Sequence, residues 1–493
     1  MILKIGTRKI NIRGAATDSR GVRKGGLFIA VKGHDLDGHK FIPKAIANGA
    51  KAVVCEDDFD CPENVVKILV KDSRLIAPQV AADIYGHPSE KLKMVGVTGT
   101  NGKTTITYLV ESIVKASGSQ AGVIGTINYR IKGKVVPAKN TTPGPMELQA
   151  MLADMVKRKV RYAVMEVSSH SLDQRRVDCV EFDAAIFTNL TSEHLDYHRT
   201  VDNYFRTKAS IFKKLKRKGV AVINNDDRRV ARLAKGIKNR VITYGINRAS
   251  DVGAGDIRIS IDGSSFTLRT PNGKTGIDTK LVGMHNVSNI LAGAAAAIGL
   301  GIGLDAVKKG VEALECVPGR LEDVDSGRGF RVLVDYAHTE DALLNVLGLV
   351  RQVAKRNIIT VFGCGGNRDR SKRPRMGKVA CRLSDRVIIT SDNPRFEEPL
   401  GIIGEIEAGI RDNFSNYQIE PDRQSAIESA LKIASEGDIV IIAGKGHEDY
   451  QIVKDKILPF DDRAVVREIL GRTVRDGECR ILREPSRTGR GRN

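Results

Sequence analysis

Short aliphatic runs punctuate the chain and alternate with stretches of helical periodicity. Met94–Val97, Tyr162–Val167, Ala184–Phe187 and Val220–Ile223 lie in one part of it, and Val332–Val334, Ile358–Phe362, Val387–Ile389 and Ile439–Ala443 in a later part. Most of these runs are apolar throughout rather than at alternate positions, so they predict strands buried on both faces, with the helical stretches as cover. The expected class is α/β with mostly parallel sheets. Asp72 to Pro88 predicts a helix stopped by Tyr85-Gly-His-Pro88, just before the first of these strands. A second break falls at Cys316-Val-Pro-Gly319. The pattern therefore divides the chain into a small N-terminal α/β domain (1–90), a central domain on a mostly parallel sheet (91–318) and a Rossmann-like α/β domain (319–493). Residues 251–282, rich in Asp, Gly, Ser and Thr, predict an antiparallel insertion. Leu281 to Leu304 is uncharged but holds His285, two Asn and many small residues, which predicts a close-packed helix rather than a membrane span.

Composition adds a puzzle. The 493 residues are 41% hydrophobic and carry a formal net charge of +20. The excess is uneven: +3 over 1–90, +15 over 91–318, −2 over 319–469 and +4 in the tail from 470, whose last stretch, 471–493, is expected to fray. Within 206–240 lies the run Lys213-Lys-Leu-Lys-Arg-Lys218. Ile211, Phe212 and Leu215 at helical spacing make it a solvated helix face, with an anion-steering surface as the alternative. The charge also raises a nucleic-acid-stimulated ATPase as a rival of a different class. Aromatics at 5% with no Trp leave little for base stacking, so no nucleic-acid partner is expected. Seven cysteines without a C-x-x-C pair argue against a disulfide framework or structural zinc. With no apolar leader at the N-terminus, the expectation is a cytoplasmic protein without membrane insertion.

In open parallel sheets ligands bind beyond the carboxyl ends of the strands, and polar clusters follow the strands here. Val97-Thr-Gly-Thr-Asn-Gly-Lys-Thr-Thr105 sits between a strand and a helix. Gly99 and Gly102 let backbone N–H groups close on phosphate oxygens, Lys103 can reach the β/γ-phosphates and Thr104 can ligate Mg²⁺. The spacing is the shorter G-x-x-G-K-T, since position 97 is Val. Glu166 ends a strand, and His194 lies in Glu193-His-Leu-Asp-Tyr-His198. Either can complete magnesium coordination, though such a histidine is as well explained by a structural hydrogen bond. Asp392-Asn-Pro-Arg395 is either a Pro-stopped turn or a stiff loop whose Arg395 offers a planar fork to a carboxylate.

Taken in order, Thr17-Asp-Ser-Arg20, Gly33–His39, the phosphate loop, Asn140-Thr-Thr142, Glu166–His170, His194–His198, Asp335-Tyr-Ala-His338 and Asp392–Arg395 resemble the Mur ligase family over residues 17–470. Within it they resemble the MurE type, which adds meso-diaminopimelate to UDP-N-acetylmuramoyl-L-alanyl-D-glutamate through an acyl phosphate. The resemblance implies that Thr17, Ser19, His34, Asp35 and Leu36 hold the UDP end. Asn140, Thr141, Thr142, Ser168, Gln174 and Arg176 would then hold the muramoyl-dipeptide. Gly99, Thr100, Asn101, Gly102, Lys103, Thr104 and Thr105 would bind ATP, with Asn289 on the adenine side. Lys208 matches a lysine that such enzymes carry as a carbamate, giving a metal set of Thr104, Glu166, His194 and Lys208 for two Mg²⁺ ions, and Lys103 and these last three as the catalytic group. Arg368, Asp392, Asn393, Pro394, Arg395, Gly444 and Glu448 would take diaminopimelate, whose extra carboxylate calls for Arg395; relatives that add lysine lack that arginine and are the nearest alternative. Thr17 stands where Leu is common and Glu193 where Asp is usual. The implied partners are these small molecules alone, in a monomer.

Overall fold

In a computed structural model, residues 2–5, 8–33, 36–191 and 193–471 are described. The basic tail from 472, and His34 and Asp35 of the expected UDP-binding set, lie outside them. The chain gathers into two compact units. One comprises Met1–Leu190, Thr200–Tyr244 and Ala292–Val307, the other Thr191–Arg199, Gly245–Leu291 and Lys308–Asn493.

The first unit opens with the hairpin Ile2–Ile5/Arg8–Asn11 and a parallel sheet of Ala15–Ala16, Gly26–Ile29, Ala50–Cys55 and Val66–Leu69. The helix expected after Asp72 runs Ser73–Tyr85. Asp72 caps its start by accepting from the Arg74 N–H, and Gly86 closes it in the left-handed region at φ 70°. Next comes a larger sheet whose parallel strands stand in the order Ala121–Ile124, Tyr162–Glu166, Lys93–Thr98, Phe182–Phe187, Leu215–Asn224, Arg240–Gly245. Asn128–Ile131 and Lys134–Pro137 extend it antiparallel beyond Ala121–Ile124. The central strand Lys93–Thr98 carries Gly96, where a Cβ would come 2.7 Å from the Phe182 ring, so the ring packs directly on backbone. Met94, Met165, Leu148, Leu152, Phe182 and Phe187 form part of the core on one face.

The basic run corrects the expectation of a helix face. Ser210–Lys214 is only a 3-10 turn, and from Leu215 the chain is already the strand Leu215–Asn224. The aliphatic run Val220–Ile223 pairs in register with Ala184–Phe187 and draws the preceding lysines into extended backbone. Lys216 is not a solvated cation: its Nζ donates to Ser89 O (3.2 Å), Leu92 O (3.0 Å) and Asp183 Oδ2 (2.7 Å).

In the second unit a six-stranded sheet runs Glu322–Asp325, Arg331–Asp335, Ile439–Ala443, Ile358–Phe362, Arg386–Ile389, Tyr417–Ile419; only the first pair is antiparallel. Helices Glu340–Val353, Lys372–Leu383 and Pro399–Glu407 pack with one core on its one face, and Arg423–Ile433 and Asp462–Ile469 with another on its other face. This is the doubly covered sheet that the alternating pattern predicts. The insertion is present as Val252–Ser260, Gly263–Thr270 and Gly273–Thr279, paired antiparallel. Among the described cysteines Cys55, Cys61, Cys179, Cys364 and Cys381 are free.

Candidate functional site

In the first unit, the strand Lys93–Thr98 ends in a loop that feeds the helix Lys103–Ala116. Gly99 (φ 140°) and Gly102 (φ 86°) hold conformations closed to other residues, and a Cβ on Gly99 would fall 1.8 Å from Thr188 Oγ1. The loop is tied to the neighbouring strand end: Asn101 N–H donates to Asn189 Oδ1 (2.9 Å) and Thr188 Oγ1 to Asn101 O (2.7 Å). Lys103 curls back over it, its Nζ donating to Gly99 O (3.0 Å) and Thr100 O (2.7 Å), where it can turn toward a bound phosphate. Lys208, 2% exposed, also donates to Gly99 O (2.8 Å), with its Nζ 4.5 Å from the centre of the Tyr204 ring.

Thr104 and Glu166 meet beside this loop. Thr104 Oγ1 donates to Glu166 Oε1 (3.0 Å), and both side chains are buried. Two hard oxygens converging here fit Mg²⁺, while the helix N-terminus favours the phosphates that such an ion would accompany. Thr126, given no role by its sequence, orients the carboxylate: its N–H donates to Oε1 (2.8 Å) and its hydroxyl lies 2.9 Å from Oε2 and 3.1 Å from Thr141 Oγ1. From there the expected dipeptide set is contiguous. Thr142 Oγ1 donates to Glu166 O (2.9 Å), Ser168 N–H to Thr142 Oγ1 (3.1 Å), and Arg176 to Gln174 Oε1 (2.9 Å) and Thr142 O (3.2 Å). Asn140 O accepts from the Tyr129 hydroxyl (2.7 Å). Ser19 is buried with its carbonyl bonded to Asn48 Nδ2 (2.8 Å), Thr17 is half-buried and Leu36 is 70% exposed.

His194 and Asn289 belong to the second unit. His194 has φ 55° and lies 3.7 Å from the Glu193 carboxylate, and Asn289 Nδ2 donates to Asn286 Oδ1 (3.2 Å). In the same unit three strand-end loops bring the expected amino-acid set together. Asn393 Nδ2 donates to Glu448 Oε2 (2.8 Å), and its Oδ1 accepts from Ile452 N–H (2.8 Å) and the buried Lys445 Nζ (3.3 Å). A Cβ on Gly444 would lie 2.6 Å from Asp392 Oδ2. Arg395 (φ 54°) donates from Nη1 to Gly366 O (2.9 Å), and Gly366 N–H donates to Asn393 O (2.9 Å). Arg395 and Arg368 both approach Gly365, where a Cβ would come 2.9 Å from Arg395 Nη1 and 3.9 Å from Arg368 Cγ. Burial, and then the Arg368 charge, lower the Arg395 pKa, so the pair calls for an anion. Burial raises the Glu448 pKa, and the Tyr336 hydroxyl donates to it at 3.4 Å. Cations and carboxylates gathered on these loops suit an amino acid with an additional acid group. Lys445 and Tyr336 stand within the motifs Gly444–Glu448 and Asp335–His338 but had been given no role; their signal was the motifs themselves.

One further cluster, Asp37, His39 and Asp57, has metal-like spacing. His39 is already spent, with Nδ1 on Asp37 Oδ1 (2.7 Å) and Nε2 accepting from Glu56 N–H (2.8 Å). No helix among the described residues is long and apolar enough to cross a membrane.

Comparison with known proteins identifies the family. The family models described as Mur ligase family, catalytic domain, Mur ligase middle domain, and Mur ligase, glutamate ligase domain match residues 11–90, 97–297 and 319–446. The chain is 47% identical over 482 residues to the UDP-N-acetylmuramoyl-L-alanyl-D-glutamate–2,6-diaminopimelate ligase of Geobacter metallireducens, covering 94% of each chain. It is 45% identical to the ligase of that name from Clostridium tetani, covering 94% of this chain and 96% of the other. A solved structure of a ligase of that name superposes with a TM-score of 0.67 at 33% identity, covering 95% and 97%. MurF from Thermotoga maritima in complex with ADP shares the fold, with a TM-score of 0.64 at 21% identity over 93% and 96%. Over nearly its whole length, the chain belongs to the Mur ligase family.

Proposed function

We propose that this chain is the ATP-dependent ligase that joins meso-diaminopimelate to UDP-N-acetylmuramoyl-L-alanyl-D-glutamate in peptidoglycan precursor synthesis. The observation that carries the choice of amino acid is Arg395, in the loop that follows the strand Arg386–Ile389, which meets Arg368 beside Gly365. Lysine would leave the half-buried Arg395 guanidinium, beside the exposed Arg368, without its carboxylate. The D-glutamyl carboxylate, held near Thr141, Thr142 and Arg176, attacks the γ-phosphate of ATP. Lys103 and the backbone amides of 99–104 take up the developing charge, and an acyl phosphate and ADP result. The deprotonated amine of diaminopimelate, held by Asn393 and Glu448, then attacks the acyl carbon, and phosphate leaves. Mg²⁺ supplies charge neutralisation between the phosphates when bound, and Thr104 and Glu166 would hold it. Domains 1–90, 91–318 and 319–493 divide the work between UDP, ATP with the dipeptide, and the amino acid.

Lys208 is proposed as a carbamate: its uncharged Nζ adds to CO₂ and releases a proton, turning a cation into an oxygen ligand for a second metal. The family resemblance supports this reading, together with its burial beside the loop. An intact mass larger by one CO₂, lost in Lys208→Ala, checks it; an unmodified lysine in active enzyme refutes it. The main test is phosphate release with ATP, the UDP substrate and each candidate amino acid. Release with meso-diaminopimelate and not with L-lysine is expected, and release with lysine alone would refute the assignment.

A further inference from the structure

Arg373 is a charged side chain with no exposed surface, on the inward face of the helix Lys372–Leu383. Removing a guanidinium from water costs several kcal/mol unless partners replace the water. Here Nη1 donates to Glu397 Oε2 (2.8 Å) and Glu405 Oε2 (2.8 Å), and Nη2 to Glu397 Oε1 (2.9 Å) and Gly365 O (3.3 Å). Nε has no hydrogen-bond partner among the described residues. A wholly structural role would be met more cheaply by a long apolar residue.

What this ion pair grips is specific. Glu397 stands two residues after Arg395 and also accepts from Asn367 N–H, one residue before Arg368. Asn367 Oδ1 in turn accepts from Phe396 N–H (3.1 Å). The two loops touch so closely that a Cβ on Gly366 would lie 1.9 Å from Pro394 O. Both Asn367 (φ 51°) and Arg395 (φ 54°) hold left-handed backbone, which for a non-glycine residue persists only where its surroundings enforce it. Ionisation of Glu397 is secure: the Arg373 hydrogen bond holds its pKa down at about 2.

We propose that Arg373, acting through Glu397, is the positioning residue for amino-acid selection: it clamps the Arg395 loop to the Arg368 loop so that both guanidiniums meet one carboxylate of the incoming amino acid. Neither Arg373 nor Glu397 need touch the substrate. The inference rests on the diaminopimelate reading above and adds what enforces it.

The test is Glu397→Gln, which keeps the shape but turns an amide nitrogen toward Arg373, with Arg373→Lys as a second variant that keeps the charge and loses the fork. In each, steady-state kinetics with all three substrates and thermal melting are measured. The expected result is a rise of about tenfold in KM for diaminopimelate, with KM for ATP and the UDP substrate within about twofold and kcat lowered less than about threefold. The kcat/KM ratio of diaminopimelate to L-lysine should fall by about tenfold. An unchanged KM for diaminopimelate overturns the proposal. So does a parallel rise in all three KM values with a lowered melting temperature, the mark of a merely structural role. Wild-type enzyme that releases no phosphate with diaminopimelate overturns the functional reading and this inference with it; wild type that does, beside variants with unchanged selectivity, overturns this inference alone.

Discussion

The phosphate loop and the proposed amino-acid pocket are built by opposite means. The first is one strand–helix junction, residues 99–105, whose working groups are backbone amides and two adjacent side chains. Its shape follows from two glycines and the position of a helix N-terminus, so nearly all of it is local. The second is assembled from loops near residues 363–368, 392–397 and 444–448, each behind a different strand of the second sheet. Those loops are held by two fully buried arginines: Arg373 on one side, and on the other Arg423, which donates to Asp462 (2.8 Å), Ser391 O (3.3 Å) and Ala443 O (3.1 Å). Anion binding needs only oriented N–H groups, which any sequence with the right glycines provides. Choosing between amino acids that differ by one carboxylate needs side chains fixed in space, and that requires long-range bracing.

Damage to the local site should therefore abolish chemistry without unfolding, damage to the Arg423 brace should cost stability, and damage to the Arg373 brace should blur the choice of amino acid. Lys103→Ala is expected to have the largest effect, a loss of about a thousandfold or more in kcat with an unchanged melting temperature. Near wild-type turnover in a phosphate-release assay would break the comparison at its first term. Asp462→Ala leaves Arg423 buried without its carboxylate, and should cost about 3–5 kcal/mol of stability in urea denaturation. If that variant is as stable as wild type, the bracing account of the second site is wrong. Arg395→Ala sits between the two: KM for diaminopimelate should rise about ten- to a hundredfold while KM for ATP stays put. Equal changes in both would mean that the arginine supports the fold and does not read the substrate.

The same contrast explains what could be read from the chain. Gly99 to Thr105 and Asp392 to Arg395 are contiguous, and both fall where the strand pattern puts the carboxyl ends. Arg373 and Arg423 leave no such trace. Each lies on an amphipathic helix where a charged residue reads as surface, and only the packing of distant loops reveals that it points inward. Thr126 is invisible for a related reason, since a lone threonine after the strand Ala121–Ile124 gains meaning only when Glu166 arrives from the next strand over. At 213–218 the pattern misled: Ile211, Phe212 and Leu215 have helical spacing, yet pairing of Val220–Ile223 with Ala184–Phe187 fixes the backbone as strand. Periodicity over six residues is a weaker determinant than a register already set by a buried neighbour.

The smallest expected effect is a dependence of stability on pH that belongs to the second unit. His338 and His447 flank Tyr336, with ring centres 4.6 and 4.9 Å from it. Burial lowers their pKa values to about 4 and about 3, helped by Lys372 for the first and Arg320 for the second. In the unfolded chain both would titrate near 6.5, so between that value and about 4 the unfolded state binds protons that the folded state refuses. Their contribution is therefore intact above about pH 6.5 and lost as the pH falls through that window. Asp335 and Glu448, whose pKa values burial raises, act in the opposite sense, because acid relieves the cost of their buried charge. The net slope is thus shallow, and the histidines are isolated by comparison with His338→Gln. Urea midpoints taken at pH 7 and pH 5 should fall less in that variant than in wild type. Equal falls would place the acid sensitivity outside this cluster, and remove protonation from the ways in which the braced site differs from the phosphate loop.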